Sequence, residues 1–164
     1  MVLCYVGLGS NVGDRVGVLA RAAACLAARG DIVLRRMSGF YVTRPWGIED
    51  QADFVNAAAE IETHLSAREL LERAKEIERS LGRRPGPRWG PREIDIDILL
   101  YGDEVVKDGD LVIPHPHLCE RLFVLVPLRE VAPDLVHPET GIRVSAYLET
   151  LEKGGGPTWT NPAT

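Results

Sequence analysis

Cysteine is scarce here: Cys4, Cys25 and Cys119 are odd in number, and no two of them share a Cys-x-x-Cys spacing. Neither a disulfide framework nor a zinc knuckle is indicated, and a reducing cytoplasm fits. No apolar run approaches the roughly 18 residues that span a bilayer, and no charged segment precedes the short apolar stretch at the N-terminus. No membrane or export role is expected. An excess of positive charge is also missing: the formal net charge is −5, whereas general nucleic-acid and membrane-surface binders present a basic face. The glycine that a dinucleotide-binding Gly-x-Gly-x-x-Gly turn requires is absent too, since Gly7 and Gly9 are followed by Val12.

What remains is ordinary globular material with one unusual stretch. A chain of 164 residues, 45% of them hydrophobic, suits a single domain with its own core, expected over 1–153, with a loose tail over 154–164. From Ile94 to Ile98 apolar and acidic residues alternate, which is the period of a strand with one face buried. Asp95 and Asp97 then share the other face. Two like charges on one strand face repel, and a hard divalent cation relieves them; Mg²⁺ takes one or two carboxylates and fills its other positions with water and phosphate oxygens. Taken alone, an Asp-x-Asp pair is often only the wet face of an edge strand. Arg83, Arg84, Arg88 and Arg92 shift that balance, because four guanidinium forks in ten residues suit phosphate.

In chain order, Leu3 to Leu8 reads as a strand ending in Gly7-Leu8-Gly9-Ser10-Asn11. Asp14 caps a helix whose stripe is Val16, Leu19, Ala20, Ala23, Leu26 and Ala27, closed by Gly30. Strands are expected over 32–42 and 54–63, separated by a loop containing Pro45 and Gly47. Ser66 and Glu69 form a capping box for a helix that continues to Gly82. A proline-rich and glycine-rich basic loop, 83–92, leads into the Asp-x-Asp strand. A hairpin around Lys107-Asp108-Gly109-Asp110 and a last helix through about Leu128 follow. This predicts the α+β class: a ferredoxin-like α/β sandwich with a β-α-β-β-α-β core, a mainly antiparallel sheet backed by helices on one side, and an added hairpin and C-terminal helix. Fold alone names no function.

Four segments together carry a resemblance: Gly7 to Asn11; Phe54-Val55-Asn56-Ala57-Ala58; Arg88-Trp89-Gly90-Pro91-Arg92 with Asp95 to Gly102; and Pro114-His115-Pro116 followed by Arg121-Leu122-Phe123-Val124-Leu125. The chain resembles the hydroxymethyldihydropterin pyrophosphokinases of folate biosynthesis, from Tyr5 to Gly141. That resemblance implies transfer of pyrophosphate from ATP to the hydroxymethyl group of a reduced pterin, releasing AMP. It implies that Asp95 and Asp97 hold two Mg²⁺ ions and that Arg83 and Arg92 serve the phosphates. It places Glu78, Arg84, Trp89, Ile98, His115 and Arg121 at the nucleotide. Phe54 and Phe123 would sandwich the pterin, with Gly9, Thr43, Pro45, Trp46 and Asn56 around it. A monomer acting on small molecules, without nucleic acid or membrane, is expected. Asp110 and Lys75 depart from the family pattern, and Pro85 and Pro87 stiffen the basic loop.

Two other classes are weighed against this. A glycosyltransferase also uses an Asp-x-Asp pair, but needs a larger parallel α/β domain. A ligand-binding sensor of the same fold would need neither the paired aspartates nor the arginine loop. His115, His117 and Cys119 alternate, but three ligands within five residues that include a proline make poor tetrahedral zinc geometry.

Overall fold

The computed structural model describes residues 1–45 and 48–154. β1 (Val2–Ser10) runs through the middle of the sheet, with β4 (Phe54–Thr63) on one side and β5 (Asp95–Tyr101) on the other, both antiparallel to it. β2 (Ile32–Met37) pairs with the far edge of β4, and the three-residue β3 (Tyr41–Thr43) pairs with β4 further along. The expected strand over 32–42 is therefore two strands. Ser38 breaks it: its buried hydroxyl accepts the Ala58 N–H, and its own N–H reaches the Ala58 carbonyl, so the chain bends before β3 begins.

α1 (Arg15–Ala27) and α2 (Ala67–Ser80) pack on one face of the sheet, against Val6, Leu8, Val55, Ala57, Ile61, Ile94, Ile96 and Ile98. Asp14 caps α1 by accepting the Gly17 N–H, and Ser66 with Glu69 forms the capping box of α2. The buried face of α1 is Val18, Leu19, Ala22, Ala23 and Leu26, whereas Val16, Ala20 and Ala27 are exposed. An alanine-rich helix carries little phase information, so the stripe read from sequence was rotated.

A hairpin of β6 (Val106–Asp108) and β7 (Leu111–Ile113) follows β5, and a 3-10 turn at Leu118–Glu120 precedes α3 (Leu122–Val131). α3 covers the opposite face, against Tyr5, Ala58, Leu99 and Leu100, and α4 (Val144–Lys153) packs on α3 and the 3-10 turn. Helices thus lie on both faces of the sheet, not on one. The helix expected to end near Leu128 runs to Val131, and α4 was not anticipated. Of the tail expected from 154 onward, all but Gly154 lies outside the described residues.

The alternation of the three central strands sends one set of side chains to α1 and α2 and the other set toward α3. On that second side, register aligns Tyr41, Asn56, Gly9 and Asp95 in one cross-strand row, and Ala58, Gly7 and Asp97 in the next. α3 covers only part of this face, and the remainder is the floor of a cavity.

Candidate active site

The cavity has a volume of about 370 Å³, within the range of a small-molecule site. Its floor carries Gly7, Gly9, Asn56, Asp95 and Asp97; its walls include Phe54, Phe123, His115, Arg83, Arg92 and Trp89. A Cβ on Gly9 would stand 2.9 Å from Asn56 Oδ1, so glycine there keeps the floor open beside Asn56.

One end is charged. Asp95 and Asp97 point into the cavity while Ile94, Ile96 and Ile98 are buried on the other side of the strand. Arg83 Nη1 lies 2.6 Å from Glu78 Oε1 and also pairs with Asp95, and Arg92 Nε is 3.9 Å from Asp95 Oδ1. Burial raises the pKa of both aspartates above the usual carboxylate range; for Asp95 the neighbouring Asp97 adds to the rise, and for both the arginines oppose it. By surface exposure Asp97 is open to solvent and Asp95 half-buried, so crowding by the cavity walls, not exclusion of water, is the source of the rise. Glu78 accepts the Ile96 N–H at 2.7 Å, and burial pushes its carboxyl up to about 7 against the opposing pull of that bond and of Arg83. Burial lowers His115 to about 4, helped by Arg121 and His117, so its ring is neutral at neutral pH.

The cavity is also lined by two aromatic rings. Phe54 comes from the start of β4 and Phe123 from the first turn of α3. Asn56 Nδ2, on β4, donates to Thr43 Oγ1, on β3, at 2.7 Å, which fixes the amide. Apolar faces with a few directed polar groups suit a planar heteroaromatic.

The loops over the cavity are tied to each other. Asn11, buried at the end of β1, accepts the Arg92 N–H at 2.8 Å and donates to Gln51 Oε1 at 2.9 Å and the Ala52 carbonyl at 3.0 Å. Gln51 Nε2 reaches the Trp89 carbonyl at 2.8 Å. Trp89 has φ of 65°, a left-handed conformation that a bulky side chain adopts only when its surroundings impose it. The Arg121 guanidinium lies 4.9 Å from the Trp89 ring and 5.5 Å from the Phe123 ring, and Arg88 lies 4.9 Å from Trp89. Arg92 turns its fork onto the loop itself, donating to the carbonyls of Pro87 and Pro91.

Of the residues singled out in the sequence, the cavity wall brings together Gly9, Thr43, Phe54, Asn56, Arg83, Trp89, Arg92, Asp95, Asp97, His115, Arg121 and Phe123. Glu78 stands behind the wall and meets it through Arg83. Arg84 is exposed, Ile98 is buried in the core beneath β5, and Pro45 is not among the lining residues. Trp46 lies outside the described residues. The roles of Asn11 and Gln51 were missed; an asparagine closing a glycine-rich strand end was the available signal for the first. Asp110, noted as a departure, is paired with Lys75 and Arg68, and these contacts hold its carboxyl well below the usual range.

Comparison with known proteins gives the family. Residues 5–133 match the family model described as 7,8-dihydro-6-hydroxymethylpterin-pyrophosphokinase (HPPK). The 2-amino-4-hydroxy-6-hydroxymethyldihydropteridine pyrophosphokinase of Methylorubrum extorquens is 52% identical over 136 residues, 83% of this chain and 86% of that protein. The protein of the same name from Bacillus subtilis is 47% identical over 129 residues, 79% of this chain and 77% of that protein. Among solved structures, an HPPK-DHPS in complex with substrates superposes with a TM-score of 0.76 at 12% identity, over 93% of this chain and 44% of that one. The HPPK-DHPS of Plasmodium falciparum gives 0.69 at 15% identity, over 92% and 44%. These two likenesses show the fold, and this chain spans less than half of either solved chain.

Proposed function

The chain belongs to the 7,8-dihydro-6-hydroxymethylpterin-pyrophosphokinase family, and from that premise we propose that it transfers pyrophosphate from ATP to the hydroxymethyl group of 6-hydroxymethyl-7,8-dihydropterin, in folate biosynthesis. One observation supports this most: one cavity is lined both by an acidic pair with arginines beside it and by the rings of Phe54 and Phe123. In the reaction the pterin hydroxyl oxygen forms a bond to the β-phosphorus of ATP. The bond from that phosphorus to the α–β bridging oxygen breaks, AMP leaves, and the hydroxyl proton is lost.

The donor set suits Mg²⁺: two carboxylate oxygen donors side by side, each costly to ionise without a cation, next to arginines that suit phosphate. Asp95 and Asp97 would hold two such ions. The chemistry such an ion would supply there is neutralisation of phosphate charge and acidification of the attacking hydroxyl. The protein supplies position and electrostatics and no nucleophile of its own. Arg83 and Arg92 bind phosphate oxygens and stabilise charge as the leaving group departs. Glu78 orients Arg83. Neutral His115 offers a hydrogen bond, not a charge, to the nucleotide, beside Arg121 and Trp89. Phe54 and Phe123 stack on the pterin while Asn56, Thr43 and Gly9 fix its edge. Loops 43–52 and 83–92 exclude water that would hydrolyse ATP.

We place this work in the cytoplasm and in a monomer, in which one domain over 1–153 supplies the whole site. No helix among the described residues is long and apolar enough to cross a membrane. The test is AMP release from Mg²⁺ and ATP with and without the reduced pterin. AMP should form only with the pterin present; pterin-independent hydrolysis, or no AMP at all, overturns the assignment.

A further inference from the structure

The two walls of the slot, the part of the cavity lined by the two rings, come from different parts of the chain, α3 for Phe123 and the β3–β4 pair for Thr43, Phe54 and Asn56. We propose that Glu130 is a positioning residue that holds these walls at their working separation by clamping the start of β3 to the last turn of α3. The proposal rests on reading the slot as the pterin site.

Phe123 and Glu130 are seven residues apart on α3, two turns, and so project from the same face of the helix about 10 Å apart along it. One end of that face presents a ring to the slot and the other presents a carboxylate to β3. Both Glu130 oxygens lie 3.1 Å from the Gly39 nitrogen, and Oε2 accepts the Tyr41 hydroxyl at 2.6 Å. A short bond to an ionised acceptor is among the stronger kinds. Burial, then Glu130, pushes the Tyr41 hydroxyl up to about 12, so it stays a donor across the working range.

Tyr41 is the register partner of Asn56, in the same row as Gly9 and Asp95, and Thr43 two residues on holds the Asn56 amide. β3 is three residues long and pairs with β4 alone among the described strands, so it needs support from elsewhere. Glu130 is exposed and belongs to neither core cluster. Removing its carboxylate loosens the clamp without opening the core.

Steady-state kinetics on Glu130→Ala, Glu130→Gln and Tyr41→Phe test this. Glu130→Ala should raise KM for the pterin roughly five- to tenfold, the scale of a lost charge-assisted hydrogen bond. Its kcat, and its KM for ATP, should stay within about twofold. Glu130→Gln, which keeps a carbonyl acceptor, should recover most of the loss. Adding Tyr41→Phe to Glu130→Ala should add little, because both remove one interaction. A lower thermal midpoint with unchanged pterin KM would make Glu130 merely structural and overturn the proposal. Equal rises in both KM values would overturn it as well. If Phe123→Ala raises the pterin KM but Glu130→Ala does not, the slot reading stands and the clamp falls. A wild-type protein with no pterin-dependent AMP release takes both down.

Discussion

The two faces of the sheet are built from the same strands and do opposite things. Toward α1 and α2, β1, β4 and β5 send Val6, Leu8, Val55, Ala57, Ile94, Ile96 and Ile98, all buried. Toward α3 the residues between them are Gly7, Gly9, Phe54, Asn56, Asp95 and Asp97, which line a cavity. A period of two therefore separates what holds the fold from what handles the ligand, residue by residue along one strand. Adjacent substitutions should fail in different ways.

The largest expected effect is at Asp97. Asp97→Ala should lower AMP release roughly 10³-fold or more, since it removes a metal ligand and part of the charge arrangement. Its thermal midpoint should hold, because Asp97 is exposed and the change relieves repulsion with Asp95. An equally active variant in Mg²⁺ would sink the metal assignment.

One residue back, Ile96 is 3% exposed and faces α2. Ile96→Ala should cost about 2–5 kcal/mol in urea unfolding, the usual price of a truncated core side chain, while kcat per folded molecule changes little. Should Ile96→Ala keep its stability and lose kcat, the division between the faces would not hold.

Glu78 sits where the faces meet, rooted on α2 and bonded to Arg83. Its folded pKa of about 7 lies above the ordinary 4.5, so the folded protein holds this proton more tightly than the unfolded chain does. Its stabilising contribution is complete below about 4.5 and is lost as pH rises through about 7, by about 3 kcal/mol in the metal-free protein. Glu78→Gln should flatten that slope in unfolding free energy measured across the window. An unchanged slope would assign the pH dependence to other groups.

The smallest effect is expected at Phe123. Phe123→Ala should weaken pterin binding by roughly 0.5–1.5 kcal/mol for the lost stack plus a burial contribution, with ATP affinity in the absence of pterin unmoved. Calorimetry on each ligand separately checks it. Loss of ATP binding with pterin binding intact would move Phe123 out of the slot.

The parts legible in the sequence were those governed by local period and capping. Ile94 to Ile98 alternate because one strand face is buried, and Ser66 with Glu69 marks a helix start by chemistry that needs no tertiary information. The acidic pair and the basic loop could be read for the same reason. The break at Ser38 could not, because it is made by Ala58 on a distant strand. The positive φ of Trp89 is held among contacts from distant parts of the chain, Gln51 and Arg121 among them. α4 had a faint signal in Val144, Leu148 and Leu151 at helical spacing, but its partners on α3 and the 3-10 turn were needed to make that face meaningful. The Arg84 and Ile98 assignments came from resemblance alone, and neither side chain lines the cavity.

β2 closes one margin of the sheet, and among the described strands it pairs only with β4. Its free side offers unpaired amides and carbonyls, the template on which chains add to one another into aggregates. The strand blunts this itself. Its register slips between Leu34 and Arg36, which bends the margin, and Arg35 and Arg36 stand there beside Glu62 and Glu60. A second chain approaching edge to edge meets two guanidinium groups and a crooked ladder, so the margin is a poor template for a further strand.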